Sequence, residues 1–266
     1  MGKKSNPERI HEANDREELA TFSAKKTKNS LTGKKWSSYI KEFLMLFLAI
    51  FSGFLAENYR ENMVEKKQEK QYIQSFIEDL KSDTATIKRN LDFRKMKMIQ
   101  MDSFMLLLSN QTIKGYENEL YFFGRNLVRS TSFQNNDRTF AQLINSGALR
   151  LIRNKQATDS IMAYQKVIER LNRNYEDERT ERYNAFPLIS QIFNAFVFDQ
   201  MVTATGIRRP TDNPPLRSYE PVLQQDLAFY IHQLKASNFI MEERLAQLND
   251  KAIRLIDLLN KEYNLE

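Results

Sequence analysis

Cysteine is absent, so thiol catalysis and thiolate metal sites are excluded. That absence decides little about compartment, since exported and cytosolic chains both tolerate it. Glycine (7) and proline (6) are scarce in 266 residues, and seven scattered glycines cannot build a phosphate-cradling loop. No Gly-x-Ser-x-Gly elbow occurs. Histidine is limited to His11 and His232. The residues three and four positions on are Asn14, Asp15, Lys235 and Ala236, so no helical metal-binding pair forms and a Ser/His triad has no local support. The expectation is a protein that is not an enzyme, with no catalytic, cofactor-binding or metal-binding residue and no cofactor.

What remains suits long helices with few turns. The one strongly apolar stretch is YIKEFLMLFLAIFSGFLAENY, residues 39–59. As a helix it spans about 31 Å, close to the hydrocarbon thickness of a bilayer. Lys41, Glu42, Glu57 and Asn58 fall near its ends, and Trp36, Tyr39 and Tyr59 flank it as interfacial aromatics do. The uninterrupted run, residues 43–56, is short enough for a buried helix or a signal segment. The flanks favour a transmembrane helix, and Phe54-Leu55-Ala56 makes a poor signal cleavage site.

Residues 25–38 carry five lysines and no acid, whereas residues 60–70 mix four basic residues with three glutamates. The positive-inside bias then predicts an inner (cytoplasmic) membrane protein with a single pass, its N-terminus cytoplasmic and its body periplasmic. Of the +6 formal charge, residues 1–38 supply +4 (nine basic, five acidic), leaving a body near neutrality. No nucleic-acid partner is expected of such a body, which lacks a concentrated basic face. Three segments follow: a disordered basic tail (1–38), the transmembrane helix (39–59) and a helical body (60–266) containing a proline-rich loop (203–221).

Within the body, Ile73, Ile77, Leu80, Thr84, Ile87, Leu91, Arg94, Met98, Met101, Met105 and Leu108 recur at alternating spacings of four and three. This predicts a long helix with one buried seam, whether in a coiled-coil dimer or in a bundle within one chain.

Across this region EFLMLFLAIFSGFLAENYREN and EKQYIQSFIEDLKSDT resemble a family of uncharacterised, N-terminally anchored single-pass membrane proteins common in Bacteroidetes. The likeness rests on residues 54–58 (FLAEN), 69–72 (EKQY) and 78–80 (EDL), and is looser over 137–152. It implies an anchored helical protein and supplies no activity.

Further on, Gly115 is expected to end the seam helix, and 116–128 to form a short helix. Asn136 or Asp137 should cap a helix that stops at Ser146-Gly147, and Asn154 should cap the next. From Gln156 to Val202 the apolar positions are Ile161, Tyr164, Ile168, Leu171, Tyr175, Phe186, Ile189, Phe193 and Phe196. Pro187 should kink or break this helix, and YEDERTERY reads as a solvated face. Pro221 suits the first turn of a last helix. That helix carries Leu227, Ile231, Leu234, Asn238, Met241, Leu245, Leu248, Ala252, Leu255 and Leu259 at heptad spacing.

The expected fold class is therefore all-α: a single transmembrane helix continuing into an up-down-up bundle of long helices, with the 203–221 loop near the membrane. Two functions fit. One is a membrane-anchored scaffold or interaction protein, with the lipid bilayer and a protein partner, or self-association through the helical seams. The other is a sensor-like module that binds a ligand and signals through the anchor helix.

Overall fold

Two long apolar seams need a third helix to cover them, and the chain supplies it. The computed structural model describes residues 36–110 and 113–265 in full and, ahead of Trp36, the backbone course of the first helix. The expected disordered tail, residues 1–38, falls almost wholly outside the fully described residues. Six α-helices are described: α1 (Glu8–Ser109), α2 (Glu117–Leu127), α3 (Arg138–Asn145), α4 (Lys155–Ile192), α5 (Ala195–Gln200) and α6 (Pro221–Tyr263). A 3-10 turn (Ala148–Leu151) precedes α4, and β1 (Val202–Thr203) pairs antiparallel with β2 (Gly206–Ile207). The chain divides into two compact units, residues 1–65 and 66–266.

In the first unit every residue from Trp36 to Glu57 is exposed. Phe43, Leu44, Met45, Leu46, Phe47 and Leu48 are all exposed, and successive residues, about 100° apart, point outward around the whole helix. None of this window is buried within the chain, and it is long and apolar enough to cross a membrane. The buried-helix alternative does not survive that exposure.

In the second unit the α6 seam is as expected: all ten positions from Leu227 to Leu259 are buried, Asn238 among them. Pro221 stands in the first turn of α6, where its missing N–H has no helical partner to lose. Asn154 caps α4 by accepting the Ala157 N–H at 3.0 Å. Along α4, Ile161, Tyr164, Ile168, Leu171, Tyr175, Ile189 and Phe193 are buried. Phe196 is exposed instead, because α4 stops at Ile192 and the chain turns through Phe193 into α5, and Phe186 is exposed because the buried face of α4 passes through Glu178, Ala185 and Ile192, one position away. Pro187 is accommodated inside the last turns of α4.

The α1 seam differs by one position in alternate turns. Ile73, Ile77, Leu80, Ile87, Arg94 and Met101 are buried as expected. The companion positions are Asp83, Asn90, Lys97 and Phe104, in place of Thr84, Leu91, Met98 and Met105. Three of those four are polar, so apolar periodicity selected the wrong neighbour. These seams are buried within one chain, packed as a bundle.

The helix order also differs from the up-down-up expectation. Glu69 of α1 accepts from Arg153 N–H at 2.7 Å and from Tyr263 OH at 2.7 Å. Further along α1, Asp83 meets Tyr164, and Arg94 meets both Glu178 and Asn238. As α1 numbers rise, α4 numbers rise and α6 numbers fall, so α4 runs parallel to α1 and α6 antiparallel. The reason lies in residues 113–154. They do not turn back at one end but descend the whole packed length of α1, held at Lys97, Asp83, Asp79 and Glu69 in succession. The 203–221 loop and α5 consequently pack beside α2 at the Ser109 end of α1, away from Lys66. There Asn213 and Asn118 exchange hydrogen bonds and Tyr121 OH donates to the Pro215 carbonyl at 2.8 Å.

This order makes a direct prediction. Lys70 Nζ lies 3.5 Å from the Asn264 carbonyl oxygen. In the cysteine-free chain, a Lys70→Cys/Asn264→Cys pair should crosslink within one molecule, and Lys70→Cys/Asp226→Cys should not. Denaturing gels read the outcome, and the reverse pattern would restore the parallel arrangement.

Candidate functional site

The polar residues buried on α1 form one line from Glu69 to Lys97, and all but Asn90, which bonds the Thr86 carbonyl of its own helix, hold other parts of the body. At one end they act as caps for backbone outside their own helix. The N-cap Asp137 of α3 makes no side-chain capping bond. Asp79 does that work from α1, accepting the Thr139 N–H at 3.0 Å and pairing with Arg138 at 3.3 Å. A carboxylate there also meets the positive end of the α3 dipole. Asp83, one turn on, accepts the Asn136 N–H at 2.7 Å and the Tyr164 OH at 2.7 Å. Burial, with Asp79 and Asp137 nearby, raises the Asp83 carboxyl to about 6 despite those two donors. Burial first, and the Asp83 carboxylate second, push the Tyr164 phenol upward, so it stays protonated and donates.

At the centre stands Arg94, 1% exposed. Its guanidinium forks onto Glu178, with Nη2 2.9 Å from Oε2 and Nη1 3.2 Å from Oε1. Nη1 also donates to Asn238 Oδ1 at 3.1 Å, and Asn238 Nδ2 returns a bond to the Arg94 carbonyl at 3.1 Å. One side chain thus joins α1, α4 and α6. Tyr175 lies under the guanidinium, 5.6 Å from its ring centroid, and its OH accepts the Phe133 N–H at 2.7 Å. Arg182 pairs with the same Glu178 at 3.2 Å, but without hydrogen-bond geometry. YEDERTERY is mostly solvated as expected, with Tyr175 on the buried face and Glu178 the one buried acid.

Lys97 closes the line. Its ammonium donates to the Asn126 carbonyl near the C-terminus of α2. Burial, then Arg182, lowers its pKa to about 7. The cavity bounded by Lys97, Arg129, Glu178, Arg182, Leu234 and Asn238 holds about 10 Å³, at or below the limit for a single water.

The chemistry of the line is mutual pairing, with Asn90 Oδ1 and Arg94 Nε the buried side-chain atoms of α1 left without a hydrogen bond. A bidentate Arg–carboxylate pair, a crossed Asn–backbone pair and three carboxylates on backbone donors leave little room for a substrate. His232 is exposed on α6, apart from this line, and His11 lies outside the described side chains. Among the described residues no group of three His, Asp or Glu is placed to hold a metal. Sequence reasoning kept Arg94 only as an exception in an apolar repeat and missed Glu69, Asp79, Asp83, Lys97 and Glu178 as buried groups. Asn238, the one polar residue in the α6 seam, was the available signal.

No family model, curated protein or solved structure matches the chain.

Proposed function

We propose that this chain is a membrane-anchored helical scaffold or interaction protein; the resemblance to the anchored Bacteroidetes family supports the anchor and not the role. In this reading α1 holds the protein at the inner membrane, with the N-terminus cytoplasmic and the body periplasmic. The observation that carries the scaffold reading is the filled polar centre: Arg94, Glu178 and Asn238 bond one another, and the cavity beside them holds about 10 Å³. A body that senses a ligand between its long helices would need a cavity there. The anchor is supported by the outward-facing apolar side chains of 36–57, which in water would form an exposed patch larger than soluble monomers carry. Its direction is supported by the lysines of residues 25–38. With the seams occupied, a protein partner would meet the remaining exposed apolar side chains, Ile99, Leu106, Phe229, Phe239 and Ile240.

Two measurements test this. A reporter active only after export, fused at Glu266, should be active in the membrane fraction. An inactive fusion beside an active cytosolic reporter would reverse the orientation. Crosslinking in intact membranes should then yield a stoichiometric partner bound through α1 and α6, lost on Phe239→Asp. A protein that stays monomeric in membranes under those conditions would contradict the scaffold reading. The second reading, a ligand-binding module signalling through the anchor helix, draws on an apolar cleft outside the polar line.

A further inference from the structure

Beside α2, α4 and α5 lies an open cleft of about 530 Å³, within the size range of small-ligand sites. Its walls come from Phe186, Ile189, Phe193, Phe196, Phe198 and Val128. The shape depends on a close approach: a Cβ on Gly124 would lie 2.6 Å from the Phe193 ring, so only glycine lets α2 sit against that ring. Phe193 is then fixed between Tyr121 (5.3 Å) and Phe198 (5.3 Å, stacked), and the Tyr121 OH accepts the Asn194 N–H at 3.2 Å. Phe196 is 81% exposed on the lip, a large apolar side chain that nothing among the described residues covers.

The charge around the cleft is of one sign. Arg125 and Arg217 line it, and no Asp or Glu does. The Arg125 guanidinium lies 5.9 Å from the Phe198 ring centroid, and Arg217 Nη1 donates to the Ser190 carbonyl at 2.8 Å. Neither has a carboxylate partner among the described ion pairs, although Arg209, Arg138 and Arg182 all do. Guanidinium groups without a counter-ion at the mouth of an aromatic cleft are placed to receive an anion whose body is apolar.

We infer that this cleft binds a single-chain anionic amphiphile, its acyl chain against the phenylalanines and its headgroup between Arg125 and Arg217. An extended peptide is less suited, because the walls are helices and side chains and offer no strand edge for its backbone. The headgroup chemistry, a carboxylate or a phosphate monoester on one chain, is common to free fatty acids and to lysolipids. The inference goes beyond the scaffold reading and stands whether or not the body holds a protein partner.

The test uses the full chain in nanodiscs with a photoreactive dodecanoate bearing a terminal diazirine. Label is expected on residues 186–198 and 124–128, displaced by dodecanoate and not by dodecyltrimethylammonium. A parallel arm with an anionic lysophosphatidate built into the disc tells a bilayer source from an aqueous one. Arg125→Gln/Arg217→Gln should weaken competition by dodecanoate about tenfold or more while leaving dodecanol unaffected. Ala195→Trp, at an exposed lining position, should abolish cleft labelling, and Ser190→Trp serves if that variant fails to fold. Label confined to residues 39–59, equal competition by the cation, unchanged labelling in the blocking variants, or tighter displacement by a peptide ending in phenylalanine would each overturn the inference.

Discussion

Arg94→Met should cost the body about 3–5 kcal/mol, the range for removing one partner of a buried ion pair. Methionine fills most of the volume, so the loss does not come from a cavity. It comes from Glu178, left 6% exposed with only the poorly aligned Arg182 beside it, and from Asn238, whose Oδ1 loses its donor. Arg94→Lys should recover little, because a single ammonium cannot fork onto Glu178 and reach Asn238 as well. The companion result is the informative one. In Arg94→Met/Glu178→Leu/Asn238→Leu the buried trio is gone and the one charge left without its carboxylate is Arg182, whose side chain is 16% exposed and can turn to water, so stability should return to within about 1–2 kcal/mol of the parent. Chemical denaturation of the full chain in discs, followed by helical circular dichroism, reads both. A single change costing under about 1 kcal/mol would mean that water or a neighbour replaces the guanidinium.

If the triple variant is as stable as the parent, the network's purpose lies in register rather than strength. The α6 seam is a run of leucines and other apolar residues, and apolar seams slide by a heptad at small cost. Asn238 and Arg94 fit each other in one alignment only, since both bonds of the pair cross between the two helices. Lone polar residues in coiled-coil seams fix register in the same way. The Lys70→Cys/Asn264→Cys crosslink, four residues from the end of α1's packed segment, then becomes a register gauge for the triple variant.

The sequence made α6 fully legible because its buried face is apolar at nine of ten positions and apolar periodicity is what a pattern search detects. On α1 the same search failed at Asn90, whose amide bonds the Thr86 carbonyl of its own helix, and at Asp83 and Lys97, whose burial depends on donors and acceptors far along the chain: Asn136, Tyr164 and Asn126. No local spacing encodes those pairings. Helix direction was illegible for a related reason, since a heptad stripe reads the same in either direction. Direction was set instead by residues 113–154, whose caps come from α1 rather than from their own sequence, as at Asp137 and Asp79. The caps at Asn154 and Pro221 were legible because their partners lie within three residues or need none. The Phe-rich stretch 186–198 was visible as apolar, but its division into core (Ile189, Phe193) and cleft lip (Phe196) depends on the break at Phe193.

The stability of the body should fall as pH rises from about 4 through 6, and Asp83→Asn should remove that fall. Asp83 is 3% exposed and its carboxyl is raised to about 6, first by burial and then by Asp79 and Asp137. An unfolded aspartate titrates near 3.9. The folded state therefore holds the Asp83 proton more tightly than the unfolded state does. Its stabilising contribution is complete below about pH 4 and is lost as pH passes through 6; above that the contribution is flat. Allowing for solvent near the connector, the change amounts to about 1–2 kcal/mol. Asparagine keeps the essential bonds, since its Oδ1 can accept the Asn136 N–H and its amide can donate to the Tyr164 oxygen. It never carries the charge. The difference in unfolding free energy between Asp83→Asn and the parent, measured at pH 4.5, 6 and 7.5, should thus grow in the variant's favour by that amount, cancelling the other titrating groups common to both. Amide exchange at Asn136 gives a local check, because the same carboxyl pins the descending connector to α1. Parallel stability profiles would show that the two donors offset burial at Asp83, and a difference that grows toward acid pH would show that they outweigh it and that the carboxylate, not the acid, is the form the fold prefers.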